Sequence, residues 1–136
     1  MSTSTKQITD DNFKQIVDRD GIVLLDWWAP WCGPCRVFGP VFEKAASKHG
    51  DIVFGKVNTE EEQALAAAFG IRSIPTLMVF RDRVLVFSQA GALPGPVLEE
   101  LIRKVRALDM EEIHREEAKQ RKAASEEAAR EHAPSA

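Results

Sequence analysis

Two cysteines separated by two residues are the part of this sequence best suited to chemistry. Cys32 and Cys35 are the only cysteines among the 136 residues, and they lie in the segment WCGPC. Cys32 falls just before a predicted helix start, where backbone N–H groups and the helix dipole stabilise a thiolate. Cys35 falls one turn into the same helix, close enough to form a disulfide. This arrangement favours a redox-active dithiol.

Other uses of a C-x-x-C pair fit the sequence less well. A zinc site needs four ligands, and the three histidines, His49, His114 and His132, have spacings that match no zinc motif. Haem attachment requires a histidine after the second cysteine, where this chain has Arg36. A structural disulfide is the remaining alternative, but closing a four-residue loop contributes only about 2 kcal/mol.

Asp26 is an acidic residue inside a near-continuous apolar run, IVLLDWW at 22–28. Such a run is typical of a central strand that is buried on both faces. Burial disfavours the charged form of a carboxyl group, so we expect a raised pKa. A carboxylate behind Cys35 can accept the proton of that thiol. The alternative is an ordinary hydrogen-bonded polar residue.

The apolar periodicity predicts alternating helices and strands. Helices are predicted at 10–18, 34–50 and 59–70 and around Leu98–Val105, and strands at 22–28, 51–58, 76–80 and 84–89. We expect Thr9 to cap the first helix, and Thr59 with Glu62 to form a capping box for the third. The order indicates a parallel βαβ unit followed by an antiparallel hairpin. The predicted fold class is therefore α/β, with a central mixed sheet and helices on both faces.

The composition changes after Leu108. Residues 109–136 contain eight acidic and five basic residues, which accounts for the whole net charge of −3. Their good helix formers, with only Met110 and Ile113 as large apolar residues, predict a solvent-exposed helix that frays towards Pro134. A partner-docking helix is the alternative, although a coiled-coil stripe is missing. We therefore expect one domain at 1–108 and a charged helical extension at 109–136.

The bulk properties narrow the function classes. A net charge of −3 leaves no basic footprint for nucleic acid. The N-terminal segment has no apolar signal-peptide core, and the apolar runs are too short to span a membrane. We therefore expect a cytoplasmic monomer that binds neither nucleic acid nor a membrane. Cytosolic thiols are kept reduced, which favours a catalytic role for the cysteine pair.

The chain resembles the thioredoxin family. The resemblance rests on WCGPC, on the preceding Asp26 and Trp28, and on the segments GIRSIPTLMVF (70–80) and GALPGPVLEELI (91–102). It covers about residues 5–108 in register. It implies the thioredoxin fold and an enzyme that reduces disulfides of substrate proteins. It also implies that no cofactor is needed besides the dithiol, and that an NADPH-dependent thioredoxin reductase recycles the oxidised form.

The resemblance also implies roles for individual residues. Cys32 would attack the substrate disulfide, and Cys35 would resolve the mixed disulfide. Lys56 would lie beside Asp26, and Pro75 would be cis and face the cysteines. The residues implied to shape the site or dock the substrate are Trp31, Gly33, Pro34, Lys56, Ile74, Pro75, Gly91 and Ala92.

The sequence departs from the family pattern at two places. The hairpin turn RDR (81–83) lacks the usual glycine, so we expect a wider hairpin than a type I′ turn. The charged extension lies beyond the usual end of the family. It leaves a second hypothesis, in which a thioredoxin-like chaperone or scaffold uses the extension to dock a partner.

Overall fold

Five strands form one mixed sheet in the computed structural model, which describes residues 4–131. The strands are β1 (Thr5–Gln7), β2 (Ile22–Trp28), β3 (Val53–Asn58), β4 (Thr76–Arg81) and β5 (Val84–Ala90). Their order across the sheet is β1-β3-β2-β4-β5. β3 is parallel to β1 and β2, whereas β4 is antiparallel to β2 and β5. The predicted α/β class and mixed sheet are confirmed.

Helices cover both faces of this sheet. They are α1 (Phe13–Val17), α2 (Gly33–Lys48), α3 (Gln63–Ala68), α4 (Gly95–Arg106) and α5 (Met110–Glu131). Side chains alternate along β2, so Ile22 and Leu24 pack with α2 and α4. Val23, Leu25 and Trp27 point to the opposite face and pack with α1 and α3. The same alternation directs the side chain of Asp26 towards α2.

Two of the predicted helix starts are wrong. Thr9 does not cap α1, because its N–H donates to the side chain of Asn12 at 2.7 Å and the helix begins at Phe13. The predicted Thr59–Glu62 capping box is absent because the Thr59 hydroxyl donates to the Trp28 carbonyl at 3.1 Å. α3 begins four residues later than predicted, at Gln63. At Thr59 a tertiary contact uses the hydroxyl that was expected to cap the helix, whereas Thr9 belongs to a turn that precedes α1.

The hairpin between β4 and β5 is tighter than predicted. Arg81 pairs directly with Val84, and the two turn residues, Asp82 and Arg83, both have left-handed backbones with φ of 49° and 72°. Aspartate tolerates this conformation better than most residues. The backbone of Gly21 also fixes the turn, since its N–H donates to the Asp82 carboxylate at 2.7 Å and its carbonyl accepts from the Asp82 N–H at 2.9 Å. These contacts replace the glycine that such turns usually need.

The C-terminal helix α5 leaves the domain from a fixed starting point. The Arg81 guanidinium donates to the carbonyls of Val105 and Leu108 at 2.6 and 3.0 Å, which holds the end of α4 and the turn that follows. Met110 is buried and Ile113 half-buried, and every described residue from 118 onwards is exposed. The predicted fraying at Pro134 lies outside the described residues. Within the described range, none of the helices combines the length and apolarity required to cross a membrane.

Removing the extension is expected to cost little stability. A chain ending at Leu108 should lose about 1–3 kcal/mol of unfolding free energy, because Met110 is the buried side chain of α5. It should keep the turnover expected of the dithiol with a small disulfide substrate. A chain ending at Glu117 retains Met110 and Ile113 and should lie within about 0.5 kcal/mol of the full chain. Urea unfolding and turnover of the three chains check this; a tenfold loss of turnover would contradict it.

Candidate active site

The cysteine pair lies at the N-terminal end of α2. Cys32 is the N-cap residue, and its sulfur accepts a hydrogen bond from the Cys35 backbone N–H at 3.2 Å. Pro34 suits the first turn because its ring presets a helical φ and its missing N–H would have no partner there. The two cysteines form a disulfide, with their Cα atoms 5.2 Å apart. The sulfur of Cys32 thus lies where the helix end stabilises negative charge.

The loop that precedes β4 starts at the same end of the sheet as the cysteine pair and lies against Cys32. The Ile74 carbonyl is 3.6 Å from the Cys32 sulfur, and the Ile74–Pro75 bond is cis, as the resemblance implied. The Pro75 carbonyl accepts from the Gly91 N–H at 2.8 Å, which joins the following loop to the site. Gly91 has a φ of 104°, a conformation that favours glycine.

The surface beside the disulfide is apolar and exposed. Trp31 is 63% exposed although it is a large aromatic residue, and Gly91 and Ala92 are also exposed. Gly33 and Pro34 are exposed at the start of α2, whereas both cysteines are only 4% exposed. Five of the predicted site residues are therefore exposed, whereas the disulfide itself is largely covered: Trp31, Gly33, Pro34, Gly91 and Ala92.

Asp26 is fully buried in the central strand. It faces α2 because it continues the series of Ile22 and Leu24, and neither of its carboxyl oxygens has a hydrogen-bond partner within residues 4–131. Burial raises the pKa of Asp26 to about 7 from an ordinary value of 3.8, Lys56 opposes this rise, and the charge of Glu43 adds to it. The alternative that Asp26 is an ordinary hydrogen-bonded polar residue does not agree with these contacts, because no described group hydrogen-bonds to its carboxyl oxygens.

Lys56 is the cation beside Asp26. The two residues are paired in register on β2 and β3, so their side chains point to the same face. The Lys56 ammonium lies 5.1 Å from the centre of the Trp28 ring. A Cβ atom on Gly39 would stand 3.8 Å from the Lys56 nitrogen, so the backbone of α2 passes close to the ammonium.

A groove of about 320 Å³ leads from solvent to this group of residues. Cys35, Gly39, Glu43 and Lys56 all line it. Sequence reasoning did not single out Glu43. The signal that could have found it is the spacing of Cys35, Gly39 and Glu43, which repeats every four residues and so places them on one face of a helix.

The described residues contain no group of three or more metal-ligating side chains positioned to hold a metal ion.

Comparison with known proteins agrees with this geometry. The thioredoxin family model matches residues 4–105. The chain belongs to the thioredoxin family. It is 54% identical over 118 residues to putative thioredoxin 2 of Streptomyces coelicolor, covering 87% of this chain and 88% of that protein. It is 45% identical over 104 residues to thioredoxin 1 of a Nostoc species, covering 75% of this chain and 97% of that one.

A solved structure shows the same fold. The crystal structure of Malassezia sympodialis thioredoxin (Mala s 13) is similar, with a TM-score of 0.68 and 35% sequence identity. The match covers 76% of this chain and 91% of the other. This thioredoxin-family protein is a thiol–disulfide oxidoreductase, and its redox group is a cysteine pair of the C-x-x-C type.

The raised pKa of Asp26 predicts how stability depends on pH. The folded protein holds the Asp26 proton more tightly than the unfolded chain, so this contribution is complete below pH 3.8 and is lost as pH rises through about 7. Relative to wild type, Asp26→Ala should therefore become more stable by about 4 kcal/mol between about pH 4 and pH 8. Denaturant unfolding of both oxidised proteins across this range measures the difference.

Asp51→Ala is the matched control. A hydrogen bond from Arg106 lowers the pKa of the exposed Asp51 to about 2. A lowered pKa gives stability that is present above 3.8 and lost only as pH falls through about 2. The control should therefore show a constant difference between about pH 4 and pH 8. A constant difference for Asp26→Ala as well would show that Asp26 does not titrate in the folded protein near neutral pH.

Proposed function

We propose that Cys32 is the nucleophile of a protein-disulfide reductase and that Cys35 is the resolving thiol. The observation that carries this assignment is the hydrogen bond from the Cys35 N–H to the Cys32 sulfur at the helix start. In the reduced protein the same N–H stabilises a thiolate on Cys32 and not on Cys35. A thiolate, and not a thiol, is the attacking species in disulfide exchange.

The reaction proceeds in two exchanges. The Cys32 thiolate attacks one sulfur of a substrate disulfide, that disulfide breaks, and a mixed disulfide forms while the second substrate sulfur leaves as a thiolate that takes up a proton. Cys35 then transfers its proton to the Asp26 carboxylate, and its sulfur attacks that of Cys32. The bond from Cys32 to the substrate breaks, and that substrate sulfur leaves as a thiolate that takes up a proton. Two electrons have then passed to the substrate, and the Cys32–Cys35 disulfide remains.

The apolar surface beside the disulfide supports a protein substrate. Trp31 offers a rigid aromatic contact, and the backbone of Ile74 lies beside the sulfur of Cys32. Gly91 and Ala92 are small and exposed, so an extended substrate segment can approach the main chain there without a steric clash. We propose that these residues dock the substrate. We propose that Gly33, Pro34 and Pro75 shape the site around them.

The partners and compartment follow from the chemistry. The oxidised dithiol must be reduced again for turnover, and we assign that step to an NADPH-dependent thioredoxin reductase. We also propose that the protein works as a cytoplasmic monomer, that residues 1–108 are the catalytic domain, and that 109–136 is a charged extension without a role in the reaction.

Trapping with Cys35→Ser tests the assignment of the two thiols. Without the resolving thiol, the first exchange should stop at the mixed disulfide, so substrate proteins should remain bound to Cys32 until a reductant is added. The variant is mixed with insulin, whose disulfides serve as the substrate, and non-reducing gel electrophoresis detects the mixed disulfide between the two proteins. Cys32→Ser is the control and should trap at least about tenfold less. More adduct with Cys32→Ser than with Cys35→Ser would reverse the two roles.

A further inference from the structure

A second carboxylate lies in the groove that contains Cys35 and Lys56. Cys35, Gly39 and Glu43 follow one another at four-residue intervals on α2, and all three line this groove with Lys56. Gly39 leaves room for the Lys56 ammonium against the helix backbone. Asp26 therefore has one cation, Lys56, and one further carboxylate, Glu43, among the charges that act on it.

Glu43 is held in place from a distant part of the chain. The Thr5 hydroxyl donates to a Glu43 carboxylate oxygen at 2.6 Å, across 38 positions of sequence. Thr5 belongs to β1, whose partner β3 carries Lys56. Glu43 is only half-buried, so it has access to water that Asp26 lacks. Its orientation is thus fixed by the same strand pair that places the lysine.

The charged residues that line the groove are Lys56, Glu43 and Arg36. Lys56 faces Asp26 from β3 and Glu43 from α2, while the β4 neighbour of Asp26, Leu77, is apolar. Cys35 also lines the groove from α2, but it is uncharged in the disulfide. Arg36 lines the groove too, but its guanidinium donates twice to the Pro30 carbonyl, at 3.1 and 3.3 Å.

We propose that Glu43 is a positioning residue for the proton transfer, because its fixed negative charge opposes the effect of Lys56 on Asp26. This inference rests on the proposed role of Asp26 as the proton acceptor of Cys35. Lys56 alone would favour the charged form of Asp26 and make it a weaker base. Burial contributes most to the basicity of Asp26, and Glu43 adds to it by offsetting part of the effect of the lysine.

The titration of Asp26 in the oxidised protein tests this inference, since neither cysteine titrates in that form. Carbon-13 NMR of the Asp26 carboxyl group gives its midpoint directly. Glu43→Gln should lower the midpoint by about 0.5 pH unit, and Lys56→Met should raise it. Glu43→Asp keeps the charge and should restore most of the shift. The midpoint of the pH–rate profile for substrate release should move in the same direction.

Glu61→Gln is the matched control, because Glu61 lines the neighbouring groove on the β1 side of Lys56. It removes the same charge and should leave the Asp26 midpoint unchanged. An equal shift in this control, or an unchanged midpoint in Glu43→Gln, would overturn the inference. An ordinary midpoint for Asp26 in the wild type would instead overturn the proposed role of Asp26, so the two failures are distinguishable.

Discussion

A carboxyl group without exposed surface, in the central strand of the sheet, is the constraint around which this site is built. Asp26 has no hydrogen-bond partner in the described part of the chain, and Lys56 acts on it through space. An ion in such surroundings is destabilised, so the group keeps its proton to a higher pH than an exposed aspartate. This burial lowers stability near neutral pH, and the proposed mechanism uses the buried carboxyl group as the base for a thiol.

The surrounding elements divide the chemistry between the two sulfurs. The start of α2 stabilises negative charge on Cys32 through the Cys35 N–H. Lys56, the register partner of Asp26, reaches α2 at Gly39 and lines one groove with Cys35. The cis peptide at Pro75 brings a backbone carbonyl to Cys32 on the opposite side. This asymmetry supports the proposed roles, in which Cys32 attacks the substrate and Cys35 loses a proton.

Local patterns in the sequence were sufficient for much of this site. The apolar run at 22–28 predicted the bounds of β2 and the burial of Asp26, because a strand covered on both faces has few polar positions. The helix start at Cys32 followed from Pro34 and the pattern after it. Contacts between distant segments could not be predicted in this way. The Thr5–Glu43 hydrogen bond joins a short edge strand, absent from the sequence prediction, to the middle of α2.

The sequence predictions for the hairpin turn and for the start of α3 were wrong for the same reason. Asp82 adopts a left-handed turn because Gly21, 61 residues earlier, satisfies its side chain and N–H. Thr59 does not cap α3 because its hydroxyl donates a hydrogen bond to the Trp28 carbonyl. A local propensity decides a boundary only where no tertiary partner competes for the same polar group.

Single-turnover reduction of a protein disulfide, followed by rapid mixing, tests the central claim that Asp26 takes the proton of Cys35. The fully reduced wild type and Asp26→Asn are compared at about pH 7, with mixed-disulfide formation and release of the reduced substrate measured separately. Asp26→Asn should form the mixed disulfide at the wild-type rate and release the substrate at least about tenfold more slowly. Equal release rates in the two proteins would contradict the role of Asp26 as the proton acceptor.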